Sequence, residues 1–156
     1  MGLSETIHIQ KQEGDKKLFL DLLLLGDEQE DMIDRYLNRG ELYVMYGANS
    51  AVLGVAVMTD EGNGICELKN IAIAPSHQRK GYGREMISFL LREYKKSHQT
   101  IQVGTGDSVQ TTAFYQSCGF RYAFTLPDFF TNNYNHPIIE EGKVLKDMIY
   151  FQKDLV

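Results

Sequence analysis

The chain has 156 residues, of which 43% are apolar and 24% charged, and a formal net charge of −5. That is enough for one compact domain, 1–156, and too little for two, and the composition excludes a disordered or fibrous chain. An acidic balance with no basic stripe argues against nucleic acid as a partner.

Residues 5–10 (Glu5-Thr6-Ile7-His8-Ile9-Gln10) alternate polar and apolar side chains and read as a strand. Residues 15–25 read as a helix with a leucine-rich face. Its run Leu18 to Leu25 is broken by Asp21 and is too short to cross a bilayer, so no membrane partner is expected. Asp27 is placed to cap a second helix, with Glu30 completing a capping box. Met32, Ile33, Tyr36 and Leu37 share that helix's apolar face, and Gly40 is its stop. Strands over 41–47 and 51–59 flank an Ala48-Asn49-Ser50 turn, a hairpin pattern. A turn over 60–64 leads to a third strand, 65–74. A helix over 83–96 repeats Tyr82, Met86, Leu90 and Tyr94 on one face, beside Ile87 and Leu91. A short strand follows at 100–104. Asp107 or Ser108 caps the next helix, which runs to Ser117 and ends at Gly119. Residues 120–126 form a strand, 127–145 a long loop holding Pro127 and Pro137, and 147–153 the last strand.

The N-terminal residues lack a basic segment followed by an apolar one, so no leader is expected. Cys66 and Cys118 lie far apart without CxxC spacing or a histidine cluster, which favours structural thiols over a metal site or a disulfide. A cytoplasmic location fits these features.

Gln78-Arg79-Lys80-Gly81-Tyr82-Gly83 is the most informative segment. It lies between a strand that Pro75 stops and the first turn of a helix. Free backbone N–H groups and the positive end of the helix dipole attract phosphate there. The glycines permit a tight turn and close approach, and Arg79, Lys80 and Arg84 add positive charge. The segment is not a Walker loop, which needs Gly-Lys-Ser/Thr. It is not a dinucleotide fingerprint either, because Met86 stands where a third glycine is required.

The remaining pattern, Gln-x-x-Gly-x-Gly, resembles the pyrophosphate-binding loop of the GNAT superfamily of N-acetyltransferases. The element order β-α-α-β-β-β-α-β-α-β-β also resembles that superfamily. So does Ala113-Phe114-Tyr115-Gln116-Ser117-Cys118-Gly119-Phe120, which looks like its closing motif. The resemblance covers nearly the whole chain and is greatest to the small single-domain bacterial members. It implies a mixed α/β (α+β) fold, with a largely antiparallel sheet of about seven strands flanked by about four helices. It implies acetyl-CoA as cofactor and direct transfer of the acetyl group to a primary amine of a small molecule or peptide. Gln78, Arg79, Lys80, Gly81, Tyr82, Gly83 and Arg84 then correspond to the pyrophosphate site. The backbones of Ile71 and Ile73 correspond to the strand that holds the acetyl and pantetheine parts, with the Ile71 N–H as an oxyanion donor. Ser108 stands where many relatives carry an asparagine on the CoA arm. It cannot reach as far as asparagine and reads first as a helix N-cap.

Acetyl transfer to an amine poses two proton problems. An alkylamine of pKa ~10.4 is only about one part in a thousand neutral near pH 7, equivalent to roughly 4 kcal/mol. The departing thiolate must also be protonated or stabilised. Tyr115, in the closing motif, is the candidate acid; the alternative is a core tyrosine. Glu67, on the strand feeding the loop, corresponds to the base of the histone-modifying branch; the alternative is a salt bridge with Lys69 or a solvated strand end. Strand alternation puts Glu67, Lys69, Ile71 and Ile73 on one face and Leu68, Asn70 and Ala72 on the other. His136 in the long loop is a rival base, and water a further intermediary. His77 offers a phosphate contact or plain surface exposure, while His8 and His98 carry no signal.

The acceptor side is expected from the first two helices and the 127–145 loop. Asp27, Glu28, Glu30, Asp31 and Asp34, with Asp128, Glu140 and Glu141 against Lys143, accompany Phe129, Phe130 and Tyr134. Carboxylates beside aromatic faces suit a cationic amine acceptor, and they equally describe a solvated face. A homodimer is left open. A noncatalytic acyl-CoA-binding module for sensing or assembly is the alternative function.

Overall fold

A computed structural model of the protein describes residues 6–156, so Glu5 of the first expected strand lies outside the described residues. In chain order the strands are β1 (His8–Lys11), β2 (Glu41–Tyr46), β3 (Val52–Gly62), β4 (Ile65–Ile73), β5 (Thr100–Thr105), β6 (Arg121–Leu126), β7 (Ile139–Glu140), β8 (Lys143–Val144) and β9 (Met148–Asp154). The helices are α1 (Leu20–Gly26), α2 (Glu30–Asp34), α3 (Tyr82–Tyr94), α4 (Val109–Ser117) and α5 (Phe129–Asn133). Seven strands form one sheet in the order β1-β2-β3-β4-β5-β9-β6. Every neighbouring pair in it is antiparallel except β4 with β5, which is parallel.

Each face of the sheet buries its own apolar layer. Met86, Ile87 and Leu90 of α3 pack with Met45, Ala56, Met58, Cys66 and Leu68 on one side. Leu23 of α1 and Ile33 of α2 pack with Leu42, Val44, Val55 and Val57 on the other. Fully burying a side chain of this size contributes about 1.5–3 kcal/mol, so these two layers fix where the helices sit.

Three departures from the expected elements bear on function. The 127–145 segment is not a featureless loop. It holds α5 and the β7–β8 hairpin around a small core of Phe130, Ile138 and Leu145. Elements of two to five residues are too short to show a hydrophobic period, and this core supplies their order instead. Asp27 does not cap the second helix. That helix begins later, with Gln29 as its N-cap, because the tyrosine hydroxyls described below take the Asp27 carboxylate.

The third departure is a β-bulge in β4. Val57 pairs with Asn70 and Met58 with Leu68, which leaves Lys69 as an extra residue. The expected alternation therefore breaks at Lys69. Cys66 and Leu68 before the bulge share the α3 face with Ile71 and Ile73 after it, whereas Ala72 packs on the α1 face. Glu67 is thereby turned to the same side as Asn70 and Ala72, not Ile71 and Ile73.

Candidate active site

β4 and β5 pair only from Ile65 with Thr100 to Leu68 with Val103. Past the bulge the two strands part, and β4 continues to Ile73 without a strand partner on that side among the described residues. A gap of this kind exposes a row of backbone groups to whatever fills it. Ala74 N–H donates to Leu53 O at 2.8 Å, so strand alternation turns Ala72 and Ala74 toward β3 and the backbones of Ile71 and Ile73 toward the gap. The slot between the strands has a volume of about 400 Å³ and is lined by Ile71, Ile73, Gly83, Thr111, Phe114 and Tyr115 among others. Two of the residues expected from the sequence as main-chain contacts, Ile71 and Ile73, are thus in the slot wall.

The glycine loop closes one end. Gly81 takes φ +91° as the N-cap of α3 and supplies no side-chain cap, so the first-turn N–H groups stay directed at the loop. Arg79 is left-handed as well, at φ +63°, a conformation uncommon for a residue with a Cβ. Gln78 Nε2 donates to Ile73 O at 3.0 Å and ties the loop to the end of β4. Arg84 reaches across to α4, donating to Ser117 Oγ at 2.7 Å with its guanidinium 5.9 Å from the Phe114 ring centre. Gly83 lines the slot, where a Cβ would come no nearer than 3.7 Å to Phe114 Cζ. Nothing in the protein itself demands a glycine there, so its smallness serves what enters the slot. An uncapped helix end, flanking cations and an open slot beside a bare strand edge fit the pyrophosphate, pantetheine and acyl parts of an acyl-CoA.

Tyr115 is 5% exposed, and its ring packs edge-on against Phe114 and Phe120. Burial pushes its phenol well above the usual range, with the Cys118 and Glu140 charges adding to the effect, so it stays protonated. Among the described residues its hydroxyl has no hydrogen-bond partner. It borders the slot as a donor with nothing to donate to.

Glu67 is 4% exposed. Lys69 Nζ lies 2.8 Å from its Oε2, and Gln102 Nε2 donates to its Oε1 at 2.7 Å. The ion pair weighed from the sequence therefore exists, and the carboxylate also borders a second cavity. Lys69 and Gly104 lie on the walls of the slot and of two further cavities, of about 140 and 250 Å³. The three form one trench that bends at the bulge.

Ser108 is 3% exposed and donates to Thr111 Oγ1 at 2.8 Å. It is the N-cap residue of α4, yet its side chain caps no backbone N–H. The slot wall is formed by Gln110 and Thr111 instead. His136 pairs with Glu28 at 2.9 Å and borders a separate cavity with Pro137 and Val144.

The far arm of the trench lies between α1, α2 and the 127–145 segment. Tyr134 hydroxyl donates to Asp27 Oδ1 at 2.6 Å, and Tyr36 hydroxyl donates to Asp27 Oδ2 at 3.0 Å. Asn70 Nδ2 donates to Tyr36 Oη at 3.1 Å and to Leu23 O at 2.9 Å. The Leu23 carbonyl can only accept, which fixes the orientation of the amide. Asn70 Oδ1 is left buried without a partner among the described residues. It lies against Gly26, where a Cβ would be 2.1 Å away. Sequence reasoning singled out neither Gly26, Asn70 nor Tyr36 for the site. The signal available was Asn70 itself, a polar residue in a strand whose neighbours are apolar.

A gap beside a parallel strand pair, an uncapped helix N-terminus flanked by cations and a buried phenol on the gap suit an acyl-CoA-dependent transferase. Residues 38–122 match the family model of the acetyltransferase (GNAT) domain, and the chain belongs to the GNAT acetyltransferases. It is similar to the uncharacterized N-acetyltransferase YvbK of Bacillus subtilis (strain 168), with 35% identity over 97% of this chain and 98% of that protein. Among solved structures, it is similar to a Bacillus subtilis acetyltransferase in complex with CoA, at 35% identity and a TM-score of 0.89, covering 97% of this chain and 100% of that one. A GNAT family acetyltransferase from Elizabethkingia anophelis with acetyl-CoA bound has 33% identity and a TM-score of 0.89, covering 95% and 97%. The protein is an acetyl-CoA-dependent N-acetyltransferase. No helix among the described residues is long and apolar enough to cross a membrane.

Proposed function

We propose that the trench moves an acetyl group directly to a primary amine of a small molecule or peptide, with Tyr115 as acid and Glu67 as base. The observation that carries this reading is the bend at Lys69 and Gly104, where a thioester-sized slot opens into a cavity bearing carboxylates and aromatic rings. Acetyl-CoA supplies an activated acyl thioester and a thiol leaving group. The chain's own residues do the rest. Gln78, Arg79, Lys80, Gly81, Tyr82, Gly83 and Arg84 form the pyrophosphate end. Ile71 and Ile73 offer main-chain hydrogen bonds along the slot, and the Ile71 N–H is aimed to stabilise a developing oxyanion.

Tyr115 holds a proton at a hydroxyl without another partner among the described residues and can donate it to a thiolate sulfur, its oxygen then taking up the second N–H proton that the amine nitrogen sheds after attack. Glu67, held by Lys69 and Gln102, accepts the proton of the incoming ammonium directly or through water. Ser108 acts indirectly, bracing Thr111 in the slot wall. The two cysteines are free thiols, in keeping with a cytoplasmic setting.

The test is thiol release from acetyl-CoA across a panel of primary amines, with products identified by mass spectrometry. Amine-dependent thiol release with an N-acetylated product supports the reading. CoA binding without any acetylated amine would leave a noncatalytic binding module.

A further inference from the structure

Asp27 and Glu140 are the trench carboxylates that pair with no cation among the described residues, and of the two only Asp27 lies wholly beyond the bend. Glu67 has Lys69 and Glu28 has His136. Asp27 has no cation within ion-pair distance among the described residues. Its oxygens accept from the Tyr36 and Tyr134 hydroxyls and the Gln29 N–H, three donors that bring no positive charge. A carboxylate offers about four lone-pair sites, so one remains. Burial pushes its carboxyl above the usual carboxylate range, although the Tyr134 and Tyr36 hydroxyls pull the other way. Keeping a partly buried charge without a counterion is costly, and a cationic ligand removes that cost.

The surroundings suit such a ligand. Tyr36, Phe129, Tyr134 and Tyr150 line the same cavity of about 250 Å³, and aromatic faces attract ammonium groups. Three cations line the cavity as well, each already engaged: Lys69 pairs with Glu67, Arg39 with Glu61, and the exposed Arg35 donates to Asn133 Oδ1 at 3.0 Å.

Asp27 is the wrong partner for the nitrogen that reacts. Attack requires a neutral amine, and a carboxylate in contact with an ammonium raises its pKa and holds the proton on. Asp27 is also absent from the slot wall and lines only the two cavities beyond the bend. We propose that Asp27, within its aromatic walls, binds a second ammonium group of the acceptor, so that the acceptor carries at least two basic nitrogens and the one reaching the slot is acetylated. This rests on the reading of the trench as an amine acetyltransferase site.

The experiment compares kcat/KM for straight-chain monoamines and diamines of matched length, butylamine against butanediamine and hexylamine against hexanediamine. The diamine of at least one pair is expected to be preferred by about 10-fold or more, the scale of a desolvated ammonium contact. In Asp27→Asn the diamine-to-monoamine ratio is expected to fall at least fivefold toward unity, with melting temperature recorded alongside. Tetramethylammonium, which has no N–H to acetylate, is expected to compete with the amine and not with acetyl-CoA. That arm uses the parent protein and decides the matter if Asp27→Asn does not fold. Equal kcat/KM within every pair, an unchanged ratio in Asp27→Asn, or tetramethylammonium failing to compete with the amine would each overturn the proposal while leaving amine acetylation intact. Acetyl-CoA binding with no amine acetylated at all removes the functional reading and this one with it.

Discussion

Gly26→Ala is a small change with a large expected effect. An alanine Cβ at this position would lie 2.1 Å from Asn70 Oδ1, 2.9 Å from its Cγ and 3.0 Å from Ile71 O. Asn70 is short, buried and held by two hydrogen bonds, so it cannot swing aside freely. Moving it forfeits its bonds to Leu23 O and Tyr36 Oη, worth about 1 kcal/mol each. Overpacking adds about 1–3 kcal/mol, and the better helix propensity of alanine returns about 1 kcal/mol. The net destabilisation is about 3 kcal/mol. For a domain of this size that lowers the melting temperature by about 6–12 °C. Function should change as well, because Asn70 positions Tyr36 and, through it, Asp27. The KM for the acceptor is expected to rise more than the KM for acetyl-CoA. The assay is calorimetry with steady-state kinetics on Gly26→Ala, Asn70→Ala and the double variant. In the Asn70→Ala background most of the clash is gone, so the added alanine should cost less than 1 kcal/mol, a coupling that a double-mutant cycle reads directly. A melting temperature within about 2 °C of the parent, or full additivity of the two substitutions, would refute the clamp.

Tyr115→Phe keeps the ring and removes the proton donor. Its turnover is expected to fall 10²–10⁴-fold with little change in acetyl-CoA affinity, and a loss under about threefold removes Tyr115 from the chemistry. Gly81→Asp places a carboxylate in the phosphate loop at a position with φ +91° and should weaken CoA binding at least 10-fold, read by titration calorimetry. Glu67→Gln is expected to lower the rate near pH 7 by 10²–10³-fold while CoA affinity stays within about threefold; an unchanged rate would move the base elsewhere. The pH profile carries a sign of its own. Because burial holds the Tyr115 phenol above its ordinary pKa, the donating form persists as pH rises. The rate should then climb with amine deprotonation and show no falling limb below about pH 9.5. A falling limb below that pH, absent in Tyr115→Phe, would contradict the raised pKa of the phenol while keeping Tyr115 as the acid.

The large elements were legible because their signals are long. The Tyr82, Met86, Leu90 and Tyr94 repeat marks α3, and all four side chains are buried. The glycine loop was legible because its glycines and cations stand between a strand stop and that helix. The bulge at Lys69 was not. It comes from the pairing of β4 with β3, a long-range match that no local pattern in residues 65–74 records, and it reversed the face expected for Glu67. Asp27 illustrates a different failure. A capping box is a local signature, but two tyrosines, one from the turn after α2 and one from the 127–145 segment, compete for the same carboxylate and win. The α5 helix and β7–β8 hairpin escaped notice because their order depends on Phe130, Ile138 and Leu145 meeting in space.

If the slot between β4 and β5 and the cavity beyond the bend together perform one acetyl transfer to nitrogen, thiol release and amine acetylation must occur in step. The most direct measurement is a mass spectrum of a diamine after incubation with acetyl-CoA and the parent protein, with thiol release followed in the same reaction. One acetyl group on one nitrogen is expected for each thiol released, with both products lost together in Tyr115→Phe. Thiol release without an acetylated amine, or an acetylated amine formed equally well by Tyr115→Phe, would contradict it.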